Sequence, residues 1–194
     1  LVNKYTVLEQ VLYEMGDPNN YISPDVCVDF TSFNIQDMGG DRVFIDGVKG
    51  FCATDTYKVS MSYFAGYKAS GQLTVSGPNA KEKAEMVAEI IWGRLKNAGC
   101  IYDKTNTEYL GVSSCHGEID NTSDNVNEVV LRLSVKDESK KKVDRFGVEL
   151  APVITSGPPG VTGFSGGRPK AQEIVAYWPS LINKSNIITK VDVL

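Results

Sequence analysis

A chain of 194 residues with 42% hydrophobic and 23% charged side chains carries enough apolar material for one compact domain, or one domain with an appendage. Its 18 glycines and 8 prolines lie in the ordinary globular range, which excludes a collagen, a disordered chain and a disulfide miniprotein. A formal net charge of -4 gives no general attraction for phosphate polymers, so no nucleic-acid partner is expected. The longest basic run, Lys140-Lys141-Lys142, lies between Glu138 and Asp144 and reads as a solvated helix start.

No stretch approaches the roughly 18 apolar residues that span a bilayer, and no charged-then-apolar leader opens the chain. The expectation is a cytoplasmic protein with no membrane partner. Cys27, Cys52, Cys100 and Cys115 are widely spaced and form no Cys-x-x-Cys pair, which argues for reduced thiols rather than a zinc knuckle or a redox dithiol. The chain opens on Leu1 instead of Met, as a piece of a longer polypeptide would.

Thr6-Val7-Leu8-Glu9 has capping-box spacing, and Leu8, Val11 and Leu12 follow at helical intervals until Gly16-Asp17-Pro18. Alternation over Asp25–Phe30 predicts a half-buried strand with Val26, Val28 and Phe30 on one side and Asp25, Cys27 and Asp29 on the other. Arg42–Ile45 and Val48–Phe51 flank Asp46-Gly47, a dipeptide suited to a type I′ turn, and read as a β-hairpin. Two further strands, Lys58–Ala65 and Ala69–Ser76, are expected to join around Gly66-Tyr67-Lys68. A long helix follows, with Pro78 in its first turn, an apolar stripe of Ala80, Ala84, Val87, Ala88, Ile91 and Leu95, and Gly99 at its end.

Strands at Tyr109–Ser113 and Glu128–Val135 lead to a second helix over Ser139–Ile154, buried through Val143, Phe146, Val148 and Leu150, with Gly147 as its weak point. A last strand covers Glu173–Trp178. This order fits an α+β fold: a two-layer sandwich, mostly antiparallel sheet with two main helices on one face. Residues 1–56 read as an N-terminal segment of helix, strand and hairpin, and 57–156 as the sandwich core. Residues 157–194 read as a glycine-rich loop and C-terminal strands packed on the same domain.

The most distinctive stretch is Ser156–Lys170, with glycines at 157, 160, 163 and 166. Every third residue being glycine suits an extended path close to other backbone. Such a loop could turn backbone N–H groups towards an anion, with Gly163, Gly166, Gly167, Arg168 and Lys170 forming a carboxylate or phosphate site. It could equally serve only close packing or subunit contact. Gly163-Phe164-Ser165-Gly166-Gly167 matches G-x-S-x-G in letters, but Pro158-Pro159 and Arg168-Pro169 do not supply the strand and helix of a nucleophile elbow. The loop also lacks the endings that mark ATP or NAD sites, so the cofactor is unknown.

His116, the single histidine, follows a predicted strand in Gly111–Glu118. It could be a general acid or base, a hydrogen-bonded turn residue, or, with Glu118 and Asp120, part of a metal site; no metal is assigned. Cys115 beside it is expected to pack rather than react. Asp25 and Asp29 are too far apart along a strand to act as a carboxylate pair. Lys58 and Arg132 could pair with them or clamp an anion.

Asp25-Val26-Cys27-Val28-Asp29-Phe30-Thr31, Lys58-Val59-Ser60, Gly71, Gly77-Pro78, Gly111-Val112 and His116-Gly117, in this order, resemble the acyclic terpene utilisation (AtuA-like) family. Gly163–Lys170 and Tyr177-Trp178-Pro179 are similar to that family's C-terminal segment, so the resemblance runs over nearly the whole chain. It implies a longer parent protein whose N-terminal α/β portion would be a partner of this C-terminal portion. It also implies a bacterial-type cytosolic protein in the catabolism of branched acyclic terpenoids, or of related carboxylic and acyl-CoA intermediates. The expected function is part of an enzyme acting on a branched carboxylate or acyl-CoA by acid/base chemistry of hydratase, lyase or hydrolase type. His116 would be its acid or base. The alternative is a non-catalytic assembly or interface domain, and an oligomer is expected in either case.

Overall fold

The computed structural model describes residues 1–13, 15–112, 114–119, 126–163 and 166–192. The protein is α+β with mostly antiparallel sheets, and the chain divides into two compact units, one of residues 1–61 and 177–194, the other of residues 62–176.

The first unit opens with α1 (Lys4–Leu12). Its cap lies one turn before the expected one: Asn3 Oδ1 accepts from the N–H groups of Tyr5 and Thr6, and Thr6 Oγ1 accepts from the Asn3 N–H. A three-stranded sheet is built from β1 (Tyr21–Ile22), β2 (Val26–Asp29) and β5 (Lys49–Cys52), in the order β1-β2-β5. Along β2, Cys27 is buried, while Val26, Val28 and Asp29 are half-buried. The expected Asp46-Gly47 hairpin is absent. β4 (Arg42–Asp46) pairs with β3 (Asn34–Gly39), and β5 pairs with β2. The tight turn falls at Gly39-Gly40-Asp41, where three successive positive φ angles of 72°, 59° and 56° reverse the chain. Gly47, at φ 78°, instead redirects the chain from one small sheet to the other. Among the described residues of this unit, Cys27 alone is buried.

The second unit holds the core. β6 (Thr56–Ser76) is one continuous strand where two were expected. Gly66 is not a turn: at φ 91° it lies against β8 (Glu128–Asp137), where a Cβ would come within 2.9 Å of the Asp137 carbonyl oxygen. β6 pairs antiparallel with β8, and β8 with β7 (Lys104–Leu110). β9 (Val161–Gly163) and β10 (Gln172–Asn183) complete the sheet beside β6, in the order β10-β6-β8-β7 with β9 also paired to β6.

Alternation decides which side is covered. Ala69, Leu73 and Val75 of β6 and Val129, Leu131, Leu133 and Val135 of β8 are buried under α2 (Ala80–Asn97) and α3 (Lys140–Leu150). All six residues of the expected α2 stripe are buried. Asn79, not Pro78, is the N-cap, and Gly99 ends the helix at φ 74°. Ser139 caps α3 through its side chain, and a short α4 (Pro152–Ser156) follows where one longer helix was expected. Val143, Phe146 and Leu150 are buried as read from the sequence, but Val148 is 47% exposed. It lies off the stripe that meets the sheet.

Two buried carboxylates tie the helices down. Glu149 accepts from Arg94 of α2 at 2.9 Å and from Arg145 one turn back on α3. Burial raises its pKa, but the hydrogen bonds from Arg94 and Arg145 outweigh that and hold it below its ordinary value of 4.5. Asp137 accepts from Lys142 Nζ at 2.7 Å and from the Ser139 N–H at 2.8 Å, and it too is held low against its burial. A carboxyl whose folded pKa is depressed contributes stability above its ordinary value and loses it as pH falls through the folded one. Denaturant unfolding followed from neutral pH to below pH 4.5 will therefore show falling stability. Glu149→Gln will remove part of that slope and cost about 1–2 kcal/mol at neutral pH, the half-exposed arginines regaining water.

Candidate functional site

The glycine-rich segment leaves α4 at Gly157, whose N–H donates to the Val153 carbonyl at 2.9 Å. Gly160, at φ 90°, passes against Ser76, and Ser76 donates to its carbonyl from the backbone N–H at 2.9 Å. Lys83 Nζ adds a hydrogen bond to the Pro159 carbonyl at 3.1 Å. The chain then runs as β9, with Val161, Thr162 and Gly163 opposite Val75, Thr74 and Leu73. The expected extended path thus includes a true strand pairing.

Beyond β9 the loop turns at Gly166 and Gly167, with φ 94° and 69°. A side chain at either glycine would meet nothing within 4 Å, so glycine is needed there for backbone conformation and not for space. Pro169 is seated by two other glycines. A Cβ on Gly71 of β6 would lie 2.8 Å from the proline ring, and a Cβ on Gly147 of α3 would overlap the Pro169 carbonyl. Gly147, expected to weaken its helix, instead opens the slot in which the loop lies. The Ala171 N–H then donates to Asp144 Oδ1 of α3 at 2.9 Å, closing the loop before β10.

This course sets Gly166, Gly167, Arg168, Pro169 and Lys170 around a depression of about 580 Å³, with Ser70, Gly71 and Gln72 of β6 and Gln172 of β10 as the other walls. Arg168 and Lys170 are exposed, and neither forms an ion pair with any described residue. Gln72, Gly167, Arg168 and Pro169 also border a smaller apolar cleft of about 160 Å³, walled by Leu73, Leu150 and Ile154. Two unneutralised cations beside a polar hollow and an apolar slot can hold an anion that carries a hydrocarbon group. Of the loop residues named from the sequence, Gly166, Gly167, Arg168 and Lys170 come together here. Gly163 borders the apolar cleft.

His116 is not among the residues of either hollow. It lies exposed in the turn after β7, on the far side of β8 from β6, and its carbonyl accepts from the Ile119 N–H at 3.3 Å. Cys115 is exposed beside it, which corrects the expectation that it packs: the turn has already left the sheet. Asp120, the Glu118 side chain and Ser165 of the G-x-S-x-G stretch lie outside the described residues. The residues after Gly166 lead through a turn into β10, with no helix. Among the described residues no cluster of three His, Cys, Asp or Glu side chains could hold a metal.

The other charged residues singled out in the sequence lie elsewhere. Arg132 meets neither Asp25 nor Asp29: its Nε and Nη2 each donate at 2.6 Å to Glu108 across β7 and β8, and those bonds hold the Glu108 pKa low. Asp29 accepts from the N–H and hydroxyl of Thr31 as the cap of a short 3-10 turn. Asp25 and Lys58 are exposed. All four cysteines are free thiols.

A family model described as acyclic terpene utilisation family protein AtuA matches residues 1–193. No curated protein and no solved structure matches the chain. Among the described residues no helix is long and apolar enough to cross a membrane.

The seating of Pro169 makes the hollow sensitive to one methyl group. Gly147→Ala will push the Pro169 carbonyl off α3 and cost about 1–3 kcal/mol, read as a lower denaturation midpoint. Val148→Ala, one residue along on the exposed face, will stay within about 0.5 kcal/mol of the parent.

Proposed function

The chain belongs to the acyclic terpene utilisation family, AtuA, and so has a role in acyclic terpene utilisation; from this premise we propose that it binds a branched carboxylate or its acyl-CoA ester at the Arg168 hollow, as part of a catabolic enzyme. The observation that carries this reading is the pair of unneutralised cations, Arg168 and Lys170, beside an apolar cleft that shares Arg168, Pro169 and Gly167 with their hollow. A guanidinium presents a planar fork to a carboxylate, and the neighbouring hydrocarbon finds Leu73, Leu150 and Ile154. Carboxylates and thioesters of this kind lose a proton next to the carbonyl in a lyase, add water across a neighbouring double bond in a hydratase, or, as thioesters, take up water at the carbonyl and release the thiol in a hydrolase, and each step needs an acid or base. His116 is the candidate acid or base, because it is the chain's one imidazole and stands in solvent where a proton can be exchanged. The described walls of the hollow do not include it, so in this reading the ligand or a further part of the enzyme brings the reacting centre to His116.

A second reading is favoured by a different observation. Tyr177, Trp178 and Leu181 of β10 are 52%, 58% and 64% exposed, in a unit whose described residues bury one side chain. Apolar side chains left open in this way are usual at interfaces. On that reading the chain is an assembly domain.

Thermal-shift and calorimetric titrations with short branched carboxylates and their CoA esters will separate the two. In the first reading the parent protein is stabilised saturably, and Arg168→Ala weakens binding roughly 10- to 100-fold, the loss of a charge-assisted hydrogen bond. A defined complex with no stabilisation by any of these ligands favours assembly. His116→Ala will lower turnover by about 10²–10⁴ with an unchanged unfolding temperature, since the residue is exposed; full turnover in that variant removes His116 from the chemistry.

A further inference from the structure

The open side of the sheet, away from α2 and α3, holds a feature that the linear sequence hides. Lys68, Lys136 and Lys104 are far apart along the chain, yet the antiparallel register puts Lys68 opposite Lys136 and Lys136 opposite Lys104. Lys68 and Lys136 point away from the helices, because Ala69, Val135 and Asp137, the residues that alternate with them, are buried on the covered side, and Lys104 shares their face through its register with Lys136. Like charges directly opposed on neighbouring strands destabilise a sheet.

The next rows on the same face have their own partners. Ser134 Oγ donates to Ser70 Oγ at 2.9 Å, and Arg132 is neutralised by Glu108 through two hydrogen bonds of 2.6 Å. Among the described residues none of the three lysines has an ion-pair partner. Asp137, the nearest buried acid in sequence, faces the other way and is taken by Lys142. Lys136 also borders a depression of about 540 Å³ whose other lining residues are Tyr63, Phe64, Ala65, Gly66, Asp103 and Glu138. Tyr63 and Phe64 are 49% and 57% exposed.

We propose that the Lys68–Lys136–Lys104 row binds the phosphate groups of a small nucleotide, whose ring system rests against Tyr63 or Phe64. Neighbouring strands lie about 4.8 Å apart, so three flexible ammonium groups converge on a charge that extends across strands, as a diphosphate does. A single carboxylate would leave part of the row unmatched. The two acids fit the same ligand from its other end. They repel the phosphates towards Lys68 and Lys136 and accept hydrogen bonds from the hydroxyl or amino groups of the organic part. This site uses none of the cations of the Arg168 hollow and does not depend on the reading given to that hollow.

Isothermal titration of the full chain with ADP, pyrophosphate and adenosine tests the assignment. ADP binds saturably and more tightly than pyrophosphate, adenosine alone does not bind measurably, and affinity falls as salt rises. Lys136→Glu weakens ADP and pyrophosphate roughly tenfold or more, the loss expected for charge-assisted contacts, while Arg168→Ala leaves both within about twofold. Lys136→Gln reports on folding: its unfolding temperature stays level or rises, because a repulsion has been removed, and its ADP affinity still drops. The proposal is overturned if neither ADP nor pyrophosphate binds, or if Lys136→Gln binds ADP as the parent does. Equal affinities for ADP and pyrophosphate overturn the nucleotide assignment, and loss of binding in Arg168→Ala alone moves the anion to the glycine loop.

Discussion

The seating of Pro169 between two glycines is the contact on which the candidate site depends. Gly71 comes from the middle of β6 and Gly147 from the sheet-facing side of α3, and each leaves out the one atom that would collide with the proline. Their positions follow from the packing of the second unit: the alternation in β6 that buries Ala69, Leu73 and Val75 also turns Gly71 towards the helices, and the stripe that buries Val143, Phe146 and Leu150 carries Gly147 inward with them. Hydrophobic burial therefore sets where the slot is, and the slot sets where Arg168 and Lys170 emerge. Asp144 adds a backbone hydrogen bond just past the proline, on the same helix. A loop rich in glycine and bare of helix is in this way held at one end by sheet pairing and at the other by α3.

Much of the second unit was legible because its residues repeat with the period of their element. The sequence shows the α2 stripe residue by residue, and it shows the inner positions Val143, Phe146 and Leu150 of α3. What failed was punctuation. Asp46-Gly47 and Gly40-Asp41 are both turn-forming pairs, and only the tertiary pairing of β3 with β4 selects the second. Gly66 looked like a turn between strands because glycine signals a break. In the fold its positive φ and missing side chain let β6 pass close to the end of β8 without stopping.

Charge was harder to read than hydrophobicity, for a physical reason. The partner of Arg132 is Glu108, one strand away at a register that depends on the connection between β7 and β8, and no local spacing announces it. Asp25 and Asp29, too far apart along the strand to act as a pair, have separate surroundings: Asp29 caps a 3-10 turn and Asp25 is exposed. The glycine-rich loop was visible because its glycines, arginine and lysine are close together in sequence. The lysine row was not, since it exists only once three strands are aligned.

The two cationic features differ in what holds them. Arg168 and Lys170 extend from a loop whose backbone is fixed by packing, so their position is as good as the fit of Pro169 in its slot. Lys68, Lys136 and Lys104 extend from paired strand positions, with Lys104 the first residue of β7, and the ladders on both sides of β8 set their register. The first arrangement can yield when α3 shifts, and the second cannot. Glu149 links α3 to α2 through Arg94, so a movement of α3 that opened the slot would also strain a buried ion pair. The coupling runs both ways: a pull on Arg168 reaches α3 through Pro169 and Ala171, and that helix is the one Glu149 ties to Arg94.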